Sequence, residues 1–202
     1  MESKIDELIK SIDRLNSFSW GDIISLVALI GSWITIFILL KDKHNYRKYD
    51  NEQNLIEIVR GTSSPFDDVK ELYLSEFEEA RLEYNSKQSR PCRMIDNYFD
   101  NVSNNEKKDL ACEIILELGD KEYWDTKDEN FKKKMSEVYK KQVDDLELLV
   151  PNFKVASAII HYDETSPHLH IVGVPIKYKN KNGMKKQVGK SDVFTKESLI
   201  RL

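Results

Sequence analysis

An α+β fold, with an antiparallel sheet carrying helices on one face and one transmembrane helix ahead of it, is the class that this 202-residue chain predicts. Three observations carry that expectation. Residues 23–40 form a hydrophobic run of eighteen residues without a charge. Beyond Lys41, stretches of helical periodicity alternate with short runs rich in β-branched residues. The last two such runs, VASAIIHY and HLHIVGVPI, flank a turn-forming spacer. Composition excludes other classes: with 40% hydrophobic and 33% charged residues, seven Gly and five Pro, the chain is neither collagen-like nor wholly disordered. Cys92 and Cys112 form no CxxC pattern, so neither a disulfide scaffold nor a cysteine zinc site is indicated.

In chain order, Ile5, Leu8, Ile9, Ile12 and Leu15 share one helical face, so residues 1–22 read as an amphipathic segment at a membrane surface or on a partner. The eighteen uncharged residues 23–40 rise roughly 27 Å as a helix, close to the hydrocarbon thickness of a bilayer. They read as a transmembrane helix, the alternative being a buried core helix. Lys41, Lys43, Arg47 and Lys48 follow it, against Lys4, Lys10 and Arg14 before it, which favours a membrane-anchored protein with its C-terminal domain in the cytoplasm.

Residues 41–202 then read as one α+β domain. Ser64-Pro65-Phe66-Asp67 is a helix start, and the stripe Val69, Tyr73, Phe77, Ala80, Tyr84 carries the helix to about Asn85. Arg90-Pro91 breaks it. Met94, Ile95, Tyr98 and Phe99 suggest a shorter helix, and the capping box Ser103-x-x-Glu106 a further turn before Leu110. LACEIILELG, ended by Gly119, reads as a strand, and Phe131, Met135, Val138, Leu146 and Leu149 mark a helix over about 129–149, stopped by Pro151. Two strands joined at Asp163–Pro167 form an antiparallel hairpin. Lys177 to Lys190 is a basic loop in which Asn182-Gly183 reads as the tip of a small hairpin, and Thr195 caps a last short helix.

Charge is unevenly spread. Residues 1–150 hold 22 basic and 31 acidic side chains, and residues 151–202 hold 9 and 4, so the net charges are -9 and +5. The overall value of -4 therefore hides a positive last quarter able to face an anion. Three of the four histidines lie in that quarter, within HYDETSPHLH. On a strand, His168 and His170 point to the same side. His161 lies on the neighbouring strand near the hairpin mouth, and Glu164 lies in the turn. Three imidazoles with a nearby carboxylate are what a divalent metal ion requires, with positions left for a phosphate oxygen or water.

HYDETSPHLH resembles the HxDExxPHxH signature of the Mob/Pre plasmid mobilisation and recombination proteins, relaxases of the HUH endonuclease class. The segments HNYRKYDNEQNLIEIVRG, DVKELYLSEFEEARLEYNSKQ, DLACEIILELGDKEYWDTKD and IVGVPIKYKNKNGMKKQVGKSDVFTKESL are similar to the same family. The resemblance implies an HUH-relaxase-like core, shortened at its C-terminal end, that nicks single-stranded origin DNA with a divalent ion, Mn or Mg, and stays joined to the 5′ phosphate. It implies no small-molecule cofactor. His161, His168 and His170 match the metal ligands and Glu164 the acidic partner. His44-Asn45-Tyr46-Arg47 matches the HNxR motif, which makes His44 the candidate nucleophile and Arg47 a phosphate clamp; Tyr46 and Tyr49 are the alternative nucleophiles. Lys177, Lys179, Lys181, Lys185, Lys186 and Lys190 would follow the nucleic-acid backbone, with Arg90 and Arg93 in support. The competing expectation is a membrane-anchored remnant that binds DNA or metal without catalysis.

Overall fold

The computed structural model describes Asn45, residues 56–162, Glu164 and residues 166–201. The amphipathic segment 1–22 and the apolar run 23–40 lie outside the described residues. Among the described residues, no helix is long and apolar enough to cross a membrane.

Five strands form one antiparallel sheet: β1 (Ile56–Arg60), β2 (Cys112–Glu117), β3 (Phe153–His161), β4 (His168–Lys177) and β5 (Gln187–Val188). The order is β1-β3-β4-β2, with β5 pairing the far end of β4. β3 and β4 are the expected hairpin, and their near-complete burial explains why both read as continuous apolar runs. β1 was not foreseen as a separate strand. It is a five-residue edge strand, half-exposed, and ends at Gly61, whose φ of +87° lets the chain turn toward the first helix.

Helix α1 (Pro65–Ser86) starts as the sequence predicts, with the Ser64 hydroxyl accepting from the Asp67 N–H at 3.3 Å. A 3-10 turn (Pro91–Arg93) and the short α2 (Tyr98–Ser103) follow. The capping box at Ser103 starts no helix. Ser103 is the last residue of α2, and its hydroxyl is already donated to the Asp100 carbonyl at 3.1 Å. After β2 come α3 (Lys121–Asp125) and α4 (Glu129–Leu149), and after β5 come α5 (Lys190–Val193) and α6 (Lys196–Arg201). The N–H of Ser198, in the first turn of α6, is held by the Thr195 hydroxyl, as expected.

Helices cover both faces of the sheet, not one. Val172, Val174 and Ile176 of β4 pack with Val69, Tyr73 and Phe77 of α1 and with Tyr98, Phe99 and Val102 of α2. Leu169 and Ile171, one residue out of phase on the same strand, pack with Met135, Tyr139, Val143 and Leu146 of α4 and with Trp124. Each buried aliphatic or aromatic side chain contributes roughly 1.5–3 kcal/mol, so two apolar faces on one strand demand two helical layers.

A register shift between Val155 and Ser157 positions the site. Phe153 and Val155 face α4, as do Ala158 and Ile160 beyond the shift. The extra residue turns Ser157, Ile159 and His161 to the opposite face, opposite Val172, His170 and His168. Strict alternation would have put Phe153 and His161 on one side; the shift lets Phe153 face α4 while His161 faces its partner His168.

Candidate metal centre

His161 ends β3 and stands directly across from His168, the first residue of β4. His170 lies two residues further along, opposite Ile159 on one side and Ile115 of β2 on the other. The three imidazoles are 0%, 8% and 3% exposed, and their ring centroids are 4.4 to 5.1 Å apart. One ligand nitrogen from each lies within 4.8 Å of the others.

Hydrogen-bond partners fix the tautomers. His161 Nε2 is 2.9 Å from the Asn45 carbonyl oxygen, and His168 Nδ1 is 2.9 Å from the Ser166 carbonyl oxygen. His170 Nδ1 is 2.8 Å from Oε1 of Glu113. Carbonyl and carboxylate oxygens only accept, so each of these nitrogens carries the proton. The lone pairs are left on His161 Nδ1, His168 Nε2 and His170 Nε2. This donor set fits a divalent cation: three neutral imidazoles, each oriented by a hydrogen bond from its other nitrogen, with a carboxylate alongside. That carboxylate is Glu164, 4.0 Å from His161 Nδ1 and 3.7 Å from His168 Nε2. Its side chain is 45% exposed, so it marks the solvent side of the cluster.

Neighbouring elements anchor the turn that carries Glu164. The Ser166 hydroxyl donates to Glu117 of β2. From the other face of the sheet, the Tyr139 hydroxyl of α4 donates to the Pro167 carbonyl at 2.5 Å. Burial pushes the Tyr139 phenol well above its ordinary range, so it remains a donor. Burial likewise pushes Tyr98 and the Cys112 thiol up to about 12, which removes both as nucleophiles near neutral pH.

His44, Arg47, Tyr46 and Tyr49 lie outside the described residues. Asn45 is described, fully buried, and touches the cluster twice: its carbonyl accepts from His161, and its Nδ2 donates to Glu113 at 3.3 Å. The basic loop is less free than its composition suggests. Lys177 pairs with Asp192, Lys185 with Glu83, Lys186 with Glu76 and Lys190 with Asp109. Lys179 and Lys181 make no ion pair among the described residues, and Arg90 and Arg93 are exposed at the 3-10 turn. Sequence reasoning missed Glu113 and Glu117. Their signal was present: in CEIILE the acidic side chains alternate with Ile114 and Leu116, so they line one face of a strand whose other face is core.

No curated protein sequence matches the chain. Among solved structures, it is similar to the MobM relaxase domain (MOBV; Mob_Pre) bound to a 22-nucleotide oriT DNA of plasmid pMV158, an Mn-bound crystal structure at pH 5.5. Identity is 19%, the TM-score is 0.49, and the match covers 80% of this chain and 72% of that one. A second Mn-bound structure of the same complex, at pH 4.6, gives 18% identity and a TM-score of 0.47, covering 85% and 75%. Residues 41–198 match the family described as plasmid recombination enzyme, Mob/Pre, a span that holds the whole of the sheet, the three-histidine cluster and Asn45, which touches it. The chain therefore belongs to the Mob/Pre family of plasmid recombination enzymes.

Proposed function

We propose that this chain is a relaxase that, with a divalent metal ion, nicks one DNA strand at an origin of transfer and stays joined to the 5′ phosphate. Family membership supplies the class. The observation that carries the reading is the 2.9 Å contact between His161 and the carbonyl of Asn45, the residue bonded to His44. Consecutive Cα atoms are about 3.8 Å apart, so the candidate nucleophile is tethered one residue from a ligand of the cluster.

His161, His168 and His170 would hold Mn²⁺ or Mg²⁺, which when bound draws charge from the non-bridging oxygens of the scissile phosphate. The neutral imidazole of His44 attacks phosphorus in line through its unprotonated nitrogen. An N–P bond forms as the bond to the 3′ oxygen breaks. The proton lost from the imidazole balances the one gained by the leaving 3′ oxygen, which departs as a hydroxyl. Arg47 holds the phosphate through paired N–H bonds, and Glu164 sets the charge on the solvent side. Arg90, Arg93, Lys179 and Lys181 are the basic side chains best suited to the DNA backbone; Lys177, Lys185, Lys186 and Lys190 are shared with carboxylates. In this reading residues 23–40 anchor the domain on the cytoplasmic side of a membrane.

The test is incubation of the full chain, in detergent, with a panel of single-stranded origin sequences from Mob/Pre plasmids. The expected result is an adduct that survives denaturation, forms with Mn²⁺, and disappears with chelator or in His44→Ala. A chain that binds Mn²⁺ and origin DNA but gives no adduct with any panel member is instead the inactive, membrane-anchored binding protein.

A further inference from the structure

We infer that Glu113 is a positioning residue that holds His170 in the metal centre and, through Asn45, ties the segment bearing His44 to that centre. The inference rests on the metal-centre reading above and extends it to a residue outside both motifs.

A single carboxylate oxygen makes both contacts. Glu113 Oε1 accepts from His170 Nδ1 at 2.8 Å and from Asn45 Nδ2 at 3.3 Å. The Glu113 side chain is only 12% exposed although it stands on the edge strand β2, and an uncompensated carboxylate so buried is strongly disfavoured. The donors in these two bonds come from segments 57 and 68 residues away. Asn45 in turn closes the circuit by accepting the His161 N–H through its backbone carbonyl. The chain of contacts runs from His161 to Asn45 to Glu113 to His170, so two metal-ligand histidines and the neighbour of the nucleophile share one network. Accepting from His170 Nδ1 keeps the Nε2 lone pair for the metal. Accepting from the Asn45 side chain holds that residue against the centre, and the residue bonded before it in the chain is His44.

Two readouts on the full chain separate the halves of the inference. In Mn²⁺ titrations, Glu113→Ala weakens binding about 10–100-fold. Glu113→Gln, which keeps an acceptor oxygen and loses the charge, weakens it less, and Asn45→Ala changes it by no more than about threefold, as expected for a residue whose backbone makes the histidine contact. At saturating Mn²⁺, Glu113→Ala and Asn45→Ala each slow adduct formation, and the double variant is no slower than the slower single one, as for residues acting through one contact. Parent-like Mn²⁺ affinity in Glu113→Ala, or rate losses that multiply in the double variant, overturns the inference. If the parent forms no adduct, the nicking reading fails by itself. The Mn²⁺ comparison and the coupling of melting temperatures across the same four proteins then decide the role of Glu113.

Discussion

At the scale of the residue, three buried imidazoles would be an unfavourable group without the acceptors behind them. Each gives one N–H to a fixed oxygen and keeps one lone pair, and the acceptors come from three places: a backbone carbonyl at Asn45, another at Ser166, and the Glu113 carboxylate. Mn²⁺ bound to the full chain is expected to show electron spin-echo coupling to three imidazole nitrogens, falling to two in His168→Ala with at least about tenfold weaker binding. Three couplings in His168→Ala would remove that histidine from the ligand set. The histidines and Glu164 were legible in the sequence because they sit within ten residues on a hairpin, where spacing alone determines who meets whom. Glu113 was not legible as a partner: its neighbour is set by the pairing of β2 with β4, which no local pattern encodes.

At the scale of the element, the periods of α1 and α4, the Ser64 cap and the hairpin were legible because each is decided by residues close in sequence. The side of the sheet on which each helix lies was not. Nearly every residue of β3 and β4 is buried, so no exposed face signals solvent, and the register shift at Val155/Ser157 reverses the phase midway. Short edge strands such as β1 offer too few residues for a period to stand out. One consequence is that α4, on the face away from the histidines, still supports them through the bond from Tyr139 to the Pro167 carbonyl. Tyr139→Phe leaves that carbonyl without its donor, which is expected to destabilise the domain by about 1–3 kcal/mol. Mn²⁺ affinity is expected to fall alongside, because the turn bearing Ser166 and Glu164 loses its anchor at Pro167; calorimetric melting and Mn²⁺ titration measure the pair. A melting temperature equal to that of the parent would show that this bond contributes nothing to holding the turn.

At the scale of the whole molecule, the split of charge between the acidic bulk and the basic last quarter is resolved by contact between them. Glu76 and Glu83 of α1 hold Lys186 and Lys185, and Lys185 with Lys87 keeps the Glu83 carboxyl down at about 2. Much of the positive excess thus fastens the loop to the body of the domain. In DNA binding measured against salt concentration, replacing Lys179 or Lys181 by Ala is expected to reduce the logarithmic slope by about 1 each, and replacing Lys185 or Lys186 to change it little. Equal changes for all four would mean that the ion pairs open on binding. The central claim joins the histidine cluster to His44 through Asn45, and mapping the covalent product tests it most directly. Digestion of the full chain after reaction with origin DNA and Mn²⁺, followed by mass spectrometry, should find the 5′ phosphate on His44. Phosphate on Tyr46, Tyr49 or any other residue, or no modified peptide from protein that has bound both Mn²⁺ and DNA, would contradict the account.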